Sequence, residues 1–269
     1  ILQNGLARSS KSSDTAYAAE CTQILSQAVA HKLYVFGSEK DPEFYYGAAI
    51  PITLKELKTN IETYKGKSVS FEGVVVRNYS QTAYVEEYDE ETGLYFGMQV
   101  YYGYNLDYDG LEILKTGNRV RIVGTVQYYE TGGTYQVSGL EYSPMRPTDP
   151  NNIQKLGEGY SPAYRLTDAE TLYNSQVEVT LGDETKSFDY AALALNTSVE
   201  MLDLTVVSVY TTNNEESSSN GAMTITCKDT DGRTVSIRTI VLRDQDGNII
   251  TADYFKDTTI DVKGLIDIF

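Results

Sequence analysis

Six side chains carry the most promising binding chemistry in this chain. They lie on two adjacent stretches, 83–89 and 94–102. Alternation of Leu94, Phe96, Met98 and Val100 with Tyr95, Gly97, Gln99 and Tyr101 is the period of a strand with one buried face. If Tyr88 lies opposite Tyr95, the connecting loop is Glu90-Glu-Thr-Gly93, with Gly93 in the left-handed position. Tyr84, Glu86 and Tyr88 then share an outward face with Tyr95, Gln99 and Tyr101. Tyr rings stack on bases or on sugar faces, while Gln99 and Glu86 supply directed hydrogen bonds. The alternative is that Tyr is a good strand former, and that these rings cover the N-terminal helix or another domain. Tyr101-Tyr-Gly-Tyr104 and Tyr128-Tyr129 fit either reading.

Residues for catalysis are sparse. The single His31 falls at the end of a helical pattern, where it complements the helix dipole. Cys21 and Cys227 match no metal or redox spacing, and Cys227 on an apolar phase reads as an inert buried thiol. Asp229-Thr-Asp231-Gly232 and Asp244-Gln-Asp246-Gly247-Asn248 look like pieces of calcium loops but lack the closing Glu, so they read as turns. The run Glu86 to Glu91 reads as a solvated hairpin tip rather than a cation site. Asn78-Tyr-Ser and Asn196-Thr-Ser are glycosylation triplets by pattern. No zinc-protease, nucleophile-elbow, phosphate-loop or dinucleotide signature occurs. Two carboxylates would suffice for a glycosidase, but nothing selects such a pair. We expect no enzyme activity, no metal and no cofactor.

The elements that must hold the tyrosine face follow from the same patterns. Ser13 or Asp14 caps a helix running to about His31, with Tyr17, Cys21, Ile24, Leu25 and Ala28 at helical spacing. Residues 1–13 read as a polar tether, Leu33-Tyr-Val-Phe36 as a short strand and 40–47 as a loop. Thr53-Leu-Lys-Glu56 is a capping box for a helix that ends near Gly66. Strands are then expected from Gly66 to Arg77, 83–89, 94–102, 118–129 and 134–142, with Gly73 and Gly124 as sites for bulges. A short helix fits 105–114, between the two hairpins.

Three strands, a cap and two strands, with glycine-bearing strands, resemble the OB-fold. Lys115-Thr-Gly-Asn-Arg-Val-Arg-Ile-Val-Gly-Thr-Val is the most typical piece. More narrowly, the stretch is similar to OB-type modules of secreted bacterial nucleases and cell-surface lipoproteins. The resemblance implies a small β-barrel and a ligand face on the first hairpin. It does not imply one ligand.

The second half repeats the first. Val120-Arg-Ile-Val-Gly124 aligns with Ile260-Asp-Val-Lys-Gly264 at an offset of 140, and Gly93 with Gly232 at 139. The expected architecture is mainly β: two OB-like five-stranded barrels, the second either complete or short of a strand, with an N-terminal α-helix. Residues 1–50 form tether, helix and strand packing on the barrels, 51–148 the first barrel, 149–165 a linker and 166–269 the second barrel. In the second copy Thr, Ser, Lys and Arg replace the aromatics of the outward face. The offset leaves that copy without a counterpart of 134–142. The expectation we favour is that Gln176 to Leu181, which alternates Val177, Val179 and Leu181, fills the gap beside 260–268. Truncation and a strand donated by a second molecule are the other two.

A formal net charge of −16 disfavours binding to nucleic acid or to an anionic membrane. Residues 166–269 hold seven Lys or Arg against eighteen Asp or Glu, so the excess is concentrated there. No apolar run is long enough to span a membrane. The start at Ile1-Leu-Gln-Asn fits removal of a secretion or lipoprotein signal, with a lipid anchor upstream. The sequence therefore reads as a non-catalytic binding or adaptor module at the bacterial cell surface, with an oligosaccharide or protein ligand. The alternatives are a structural spacer of a surface lipoprotein, a single-stranded nucleic-acid binder, or an accessory domain of a secreted hydrolase.

Overall fold

The computed structural model describes residues 3, 16–31, 49–104, 106–145 and 149–268. The chain divides into two compact units, Ile1–Gly47 and Ala48–Phe269. In the smaller unit, α1 (Ala18–Ala30) carries four of the five residues of the expected stripe, with Cys21, Ile24 and Leu25 half-buried and Ala28 buried, while Tyr17 is its exposed N-cap. His31 is its exposed C-cap. The expected cap at Ser13 or Asp14, the tether, the strand 33–36 and the loop 40–47 fall outside the described residues, apart from Gln3 in the tether.

The larger unit opens with β1 (Ile50–Pro51) and α2 (Leu54–Thr59). Thr53 caps α2 as expected, its Oγ1 accepting the Glu56 N–H at 3.1 Å. Glu56 does not reach back to complete the box; its carboxylate accepts the Tyr64 hydroxyl instead. After α3 (Ile61–Tyr64) come β2 (Ser68–Tyr79), β3 (Thr82–Asp89) and β4 (Leu94–Tyr101). The next elements are α4 (Tyr108–Ile113), β5 (Arg119–Tyr129) and β6 (Thr134–Ser138). The ladders run β2–β3–β4–β6–β5 and return to β2, a closed circuit of five strands. The closing joint is narrow: β4 and β6 run parallel and share the single pair Val100–Val137.

Inside the circuit, Val69, Phe71, Val75, Val85, Phe96, Met98, Ile122 and Val137 are buried, and Leu54 and Leu57 of α2 pack against them. This burial is the main stabilising term, at roughly 25 cal/mol per Å² of apolar surface. Gly73 is not a bulge. It pairs in register with Val120, and a Cβ there would stand 2.6 Å from Val85 and 2.8 Å from the Glu86 carbonyl. The bulge in β2 comes later, between Val75 and Arg77. Gly124 is likewise in register. The stretch 149–165 is not a plain linker, because β7 (Gln154–Gly157) adds to the N-terminal end of β5.

The second half contains β8 (Arg165–Leu166), α5 (Ala169–Asn174), β9 (Gln176–Leu181), β10 (Glu184–Asp189) and α6 (Tyr190–Ala194). It continues with β11 (Ser198–Thr211), β12 (Met223–Lys228), β13 (Thr234–Arg238) and β14 (Thr259–Leu265). The pairings of the first half recur. β8 lies parallel to β11 as β1 does to β2, β11–β12–β13 match β2–β3–β4, and β14 returns to β11 as β5 does to β2. The helix after the short strand is capped in the same way, Asp168 Oδ1 accepting the Thr171 N–H at 2.7 Å.

Two differences stand out. The sheet is open, in the order β13-β12-β11-β14, so the second half is not a closed five-stranded barrel. The segment 176–181 does not fill the gap. β9 pairs only with β10, and its Val179, with Leu193 of α6, joins the core of the first half. The apolar alternation that suggested a sheet strand serves this packing instead. The second half keeps its own smaller core of Met201, Leu204, Met223, Ile225, Cys227, Val235 and Phe255.

Candidate functional site

The β3–β4 register is the expected one: Tyr88 faces Tyr95, Tyr84 faces Gln99, and Gly93 has φ +68° in the turn. All six sequence-predicted residues therefore share one sheet face. The structure does not leave that face free. A segment of the second half, 195–198, lies across its centre. A Cβ on Gly97 would stand 2.4 Å from the Asn196 carbonyl oxygen, so only glycine permits this approach.

Glu86, opposite Gly97, is 2% exposed. Its carboxylate accepts the Ser198 N–H at 2.7 Å, the Ser198 hydroxyl at 2.8 Å and the Ala163 N–H at 2.9 Å. Burial pushes its pKa up, partly offset by these three donors. Glu86 is thus an internal clamp between the halves and not a ligand contact, which corrects the sequence reading. A buried carboxylate needs its partners, and here they come from 77 and 112 residues away, beyond any local signal.

The remaining five residues fall into two groups. At the turn end, Tyr88 is 44% exposed and its ring lies tilted 48° to that of Tyr95, with centroids 5.1 Å apart. At the other end, Tyr84 donates its hydroxyl to Asp267 at 2.8 Å, and burial followed by the Asp267 charge raises its pKa. Gln99 is half-buried and Tyr101 is 38% exposed.

Beyond the Tyr84 end opens a cleft of about 1800 Å³. Lys58, Arg77, Tyr79, Tyr84, Tyr128 and Tyr135 line its first-half wall. The Arg77 guanidinium lies 5.4 Å from the Tyr79 ring centre, and Tyr128 and Tyr135 pack 5.0 Å apart. Ile225, Ile237, Ile260, Val262 and Leu265 line the opposite wall. Lys58 Nζ donates to the Leu195 carbonyl at 3.0 Å. Burial pushes its ammonium down to about 7, against the pull of Asp267. Lys58 carries no functional motif in the sequence. The signal was its place on α2, adjoining the apolar stripe of Leu54, Leu57 and Ile61.

The other candidates resolve into structure. Asp89 accepts the Thr92 N–H and hydroxyl, both at 2.8 Å, and pairs with Lys55, so the acidic hairpin tip is a built turn. Asp229 and Asp244 accept backbone N–H groups of their own turns. Arg233 pairs with Glu170, Asp229 and Asp231. Among the described residues no group of three or more His, Cys, Asp or Glu is placed to hold a metal ion. Cys227 is buried and free, and its burial raises the thiol pKa. Asn196 has no exposed surface and Asn78 is bonded to Leu114 and Tyr102, so neither triplet is presented for glycosylation in the folded chain. No described helix is long and apolar enough to cross a membrane.

No family model and no curated protein matches the chain. Several solved structures are similar to parts of it. OBody AM1L10 bound to hen egg-white lysozyme is 20% identical over 38% of this chain and 91% of its own, with a TM-score of 0.26. Asparaginyl-tRNA synthetase from Pyrococcus horikoshii is 10% identical over 66% of this chain and 52% of its own, at 0.27. RecG bound to a three-way DNA junction is 18% identical over 44% of this chain and 16% of its own, at 0.23. Likenesses of this size decide nothing about the function of this chain.

Proposed function

We propose that this chain is a non-catalytic binding or adaptor protein built on two OB-like halves, the second an open sheet. Its ligand surface is the cleft between them rather than the whole tyrosine face. The observation that carries the reading is the composition of the cleft walls. One bears Arg77, Lys58 and four tyrosines, and on the other Ile237, Ile260, Val262 and Leu265 stand beside Arg238, Asp261, Lys263 and Asp267. Concave, largely apolar surface with a few polar groups is the usual form of a binding site. The bacterial cell-surface setting and the oligosaccharide or protein ligand expected from the sequence are part of the same proposal. The acidic net charge disfavours oligonucleotides.

The test is a binding screen of glycans, peptides and oligonucleotides on the intact chain, repeated with Arg77→Ala and Tyr128→Ala. A ligand whose affinity falls about tenfold in both variants supports the cleft, in line with about 1 kcal/mol per lost ring or cation contact. A ligand indifferent to both, or no ligand at all, overturns it. The second reading, a structural spacer, is favoured by Glu86, which accepts two bonds from Ser198 of the second half and one from Ala163 of the stretch between the halves. It gains if the screen is empty.

A further inference from the structure

Two lysines stand three residues apart on α2 and meet opposite surroundings. Lys55 reaches the hairpin tip, where Asp89 lies 3.2 Å from its Nζ and Glu91 also accepts from it, so its ammonium is paired and its pKa raised. Lys58 is half-buried in the wall of the cleft, which Ile61, Met98 and Leu195 also line. Among the described residues its Nζ has one hydrogen-bond partner, the Leu195 carbonyl at 3.0 Å. An ammonium has three donors and no acceptor, so two of its N–H groups would find no protein partner there. A neutral amine fits better: it gives one hydrogen to Leu195 and keeps its lone pair uncommitted. Burial favours that form down to about pH 7, against the pull of Asp267, whose carboxylate also accepts the Tyr84 hydroxyl at 2.8 Å.

We propose that Lys58 is a covalent capture point, its amine condensing with the aldehyde of a small ligand seated in the cleft. A lysine must be unprotonated to act this way, and the place it occupies selects that form. The Nζ lone pair attacks the carbonyl carbon, the carbonyl π pair stays on oxygen, and that oxygen takes up one amine hydrogen to give a carbinolamine. The hydroxyl then leaves with the second amine hydrogen as water, and an imine joins Nζ to the ligand carbon. Amine and aldehyde thus give imine and water with no oxidant or reductant. The step reverses by adding water and involves no turnover, as suits a binding protein. Arg77, Tyr79 and Tyr84 on the same wall offer hydrogen-bonding groups and ring faces to a polyhydroxylated aldehyde, such as the open-chain form of a reducing sugar. The inference deepens the cleft reading and rests on it for the seat of the ligand.

The probe is glyceraldehyde with sodium cyanoborohydride, which reduces the imine to a stable secondary amine, and the alkylated full chain is mapped by peptide mass spectrometry. At pH 7 Lys58 should react about tenfold or more faster than Lys55 and Lys115, because roughly half of it is neutral there and they are ion-paired. Its rate should level off with a midpoint of about 7, while theirs keep climbing to the alkaline end. Asp267→Asn removes the charge that pulls the pKa up, so the midpoint should move lower, a response that a purely structural lysine would not give. Lys58→Arg should abolish the fast site and leave the labelling of Lys55 unchanged. A Lys58 that reacts no faster than Lys55, or follows the pH profile of an ordinary lysine, overturns the proposal and leaves Lys58 as a fastener between α2 and the end of α6. A slow Lys58 together with a screened ligand lost on Arg77→Ala discards covalent capture and leaves the cleft reading standing. A fast Lys58 with an empty screen does the reverse.

Discussion

In the first half Val120, Ile122 and Val126 are shut off from solvent, while Ile260, Val262 and Ile266 occupy corresponding positions in the second half and are not. The strands before them are laid down in the same order, from a short parallel strand to a returning one. Among the described residues the first circuit is closed by β6, a strand of five residues, through the single pair Val100–Val137 with β4, and the second sheet is open. Closure of the circuit is what turns a half-buried sheet face into a core. The same hydrophobic pattern in the open sheet stays half-buried.

The sharpest way to break this comparison is to truncate matched positions. Met98→Ala should cost about 2–5 kcal/mol, because its site is closed and cannot collapse. Ile237→Ala, its counterpart at an offset of 139, should cost about 1 kcal/mol or less. Denaturant midpoints with unchanged slopes would measure both. Equal costs would mean that the second half is closed in solution.

The next effect tests whether the halves are one cooperative body. Gly97→Ala places a methyl group against the Asn196 backbone, which no side-chain rotation can relieve. We expect a loss of about 1–3 kcal/mol. Faster hydrogen exchange at 195–198, with the β2–β5 ladder still protected, would place the damage at the junction. Loss of protection throughout would show that neither half survives alone.

The smallest effect is in pH dependence. Lys58 has its folded pKa lowered to about 7, so the native state holds fewer protons than the unfolded chain from there to the ordinary 10.5. Stability contributed by this group therefore rises with pH across that window. Glu86 has the opposite sign. Its raised pKa makes its contribution fall as pH climbs from 4.5 through the folded value. Lys58→Met should flatten the alkaline rise, by on the order of 1–2 kcal/mol after solvent screening, and Glu86→Gln should flatten the acidic fall. A Lys58→Met variant that keeps the full alkaline rise would contradict the buried environment.

Much of the first half was legible because its signals are local. Alternation placed β4, Gly93 fixed the turn, and Thr53 and its neighbours marked the start of α2. The offset between the glycine-bearing strands also located β14 correctly, since both pair with the long strand of their own half. The errors arose where the partner is distant in sequence. Glu86 has the same phase as Tyr84 and Tyr88, and nothing near it reveals that Ser198 will cover it. Val177, Val179 and Leu181 alternate as a sheet strand should, yet period alone does not say which core they join. Lys58 has its partner, the Leu195 carbonyl, 137 residues away, so nothing beside it in the sequence marks it as buried.

Cys227 has one more consequence. It sits in the core of the second half with no exposed surface, is unpaired, and has a thiol made less acidic by burial. Thiolate chemistry at that sulfur must wait until β12 parts from its neighbours. The rate at which a slow alkylating reagent consumes it is therefore an internal clock for breathing of the open sheet.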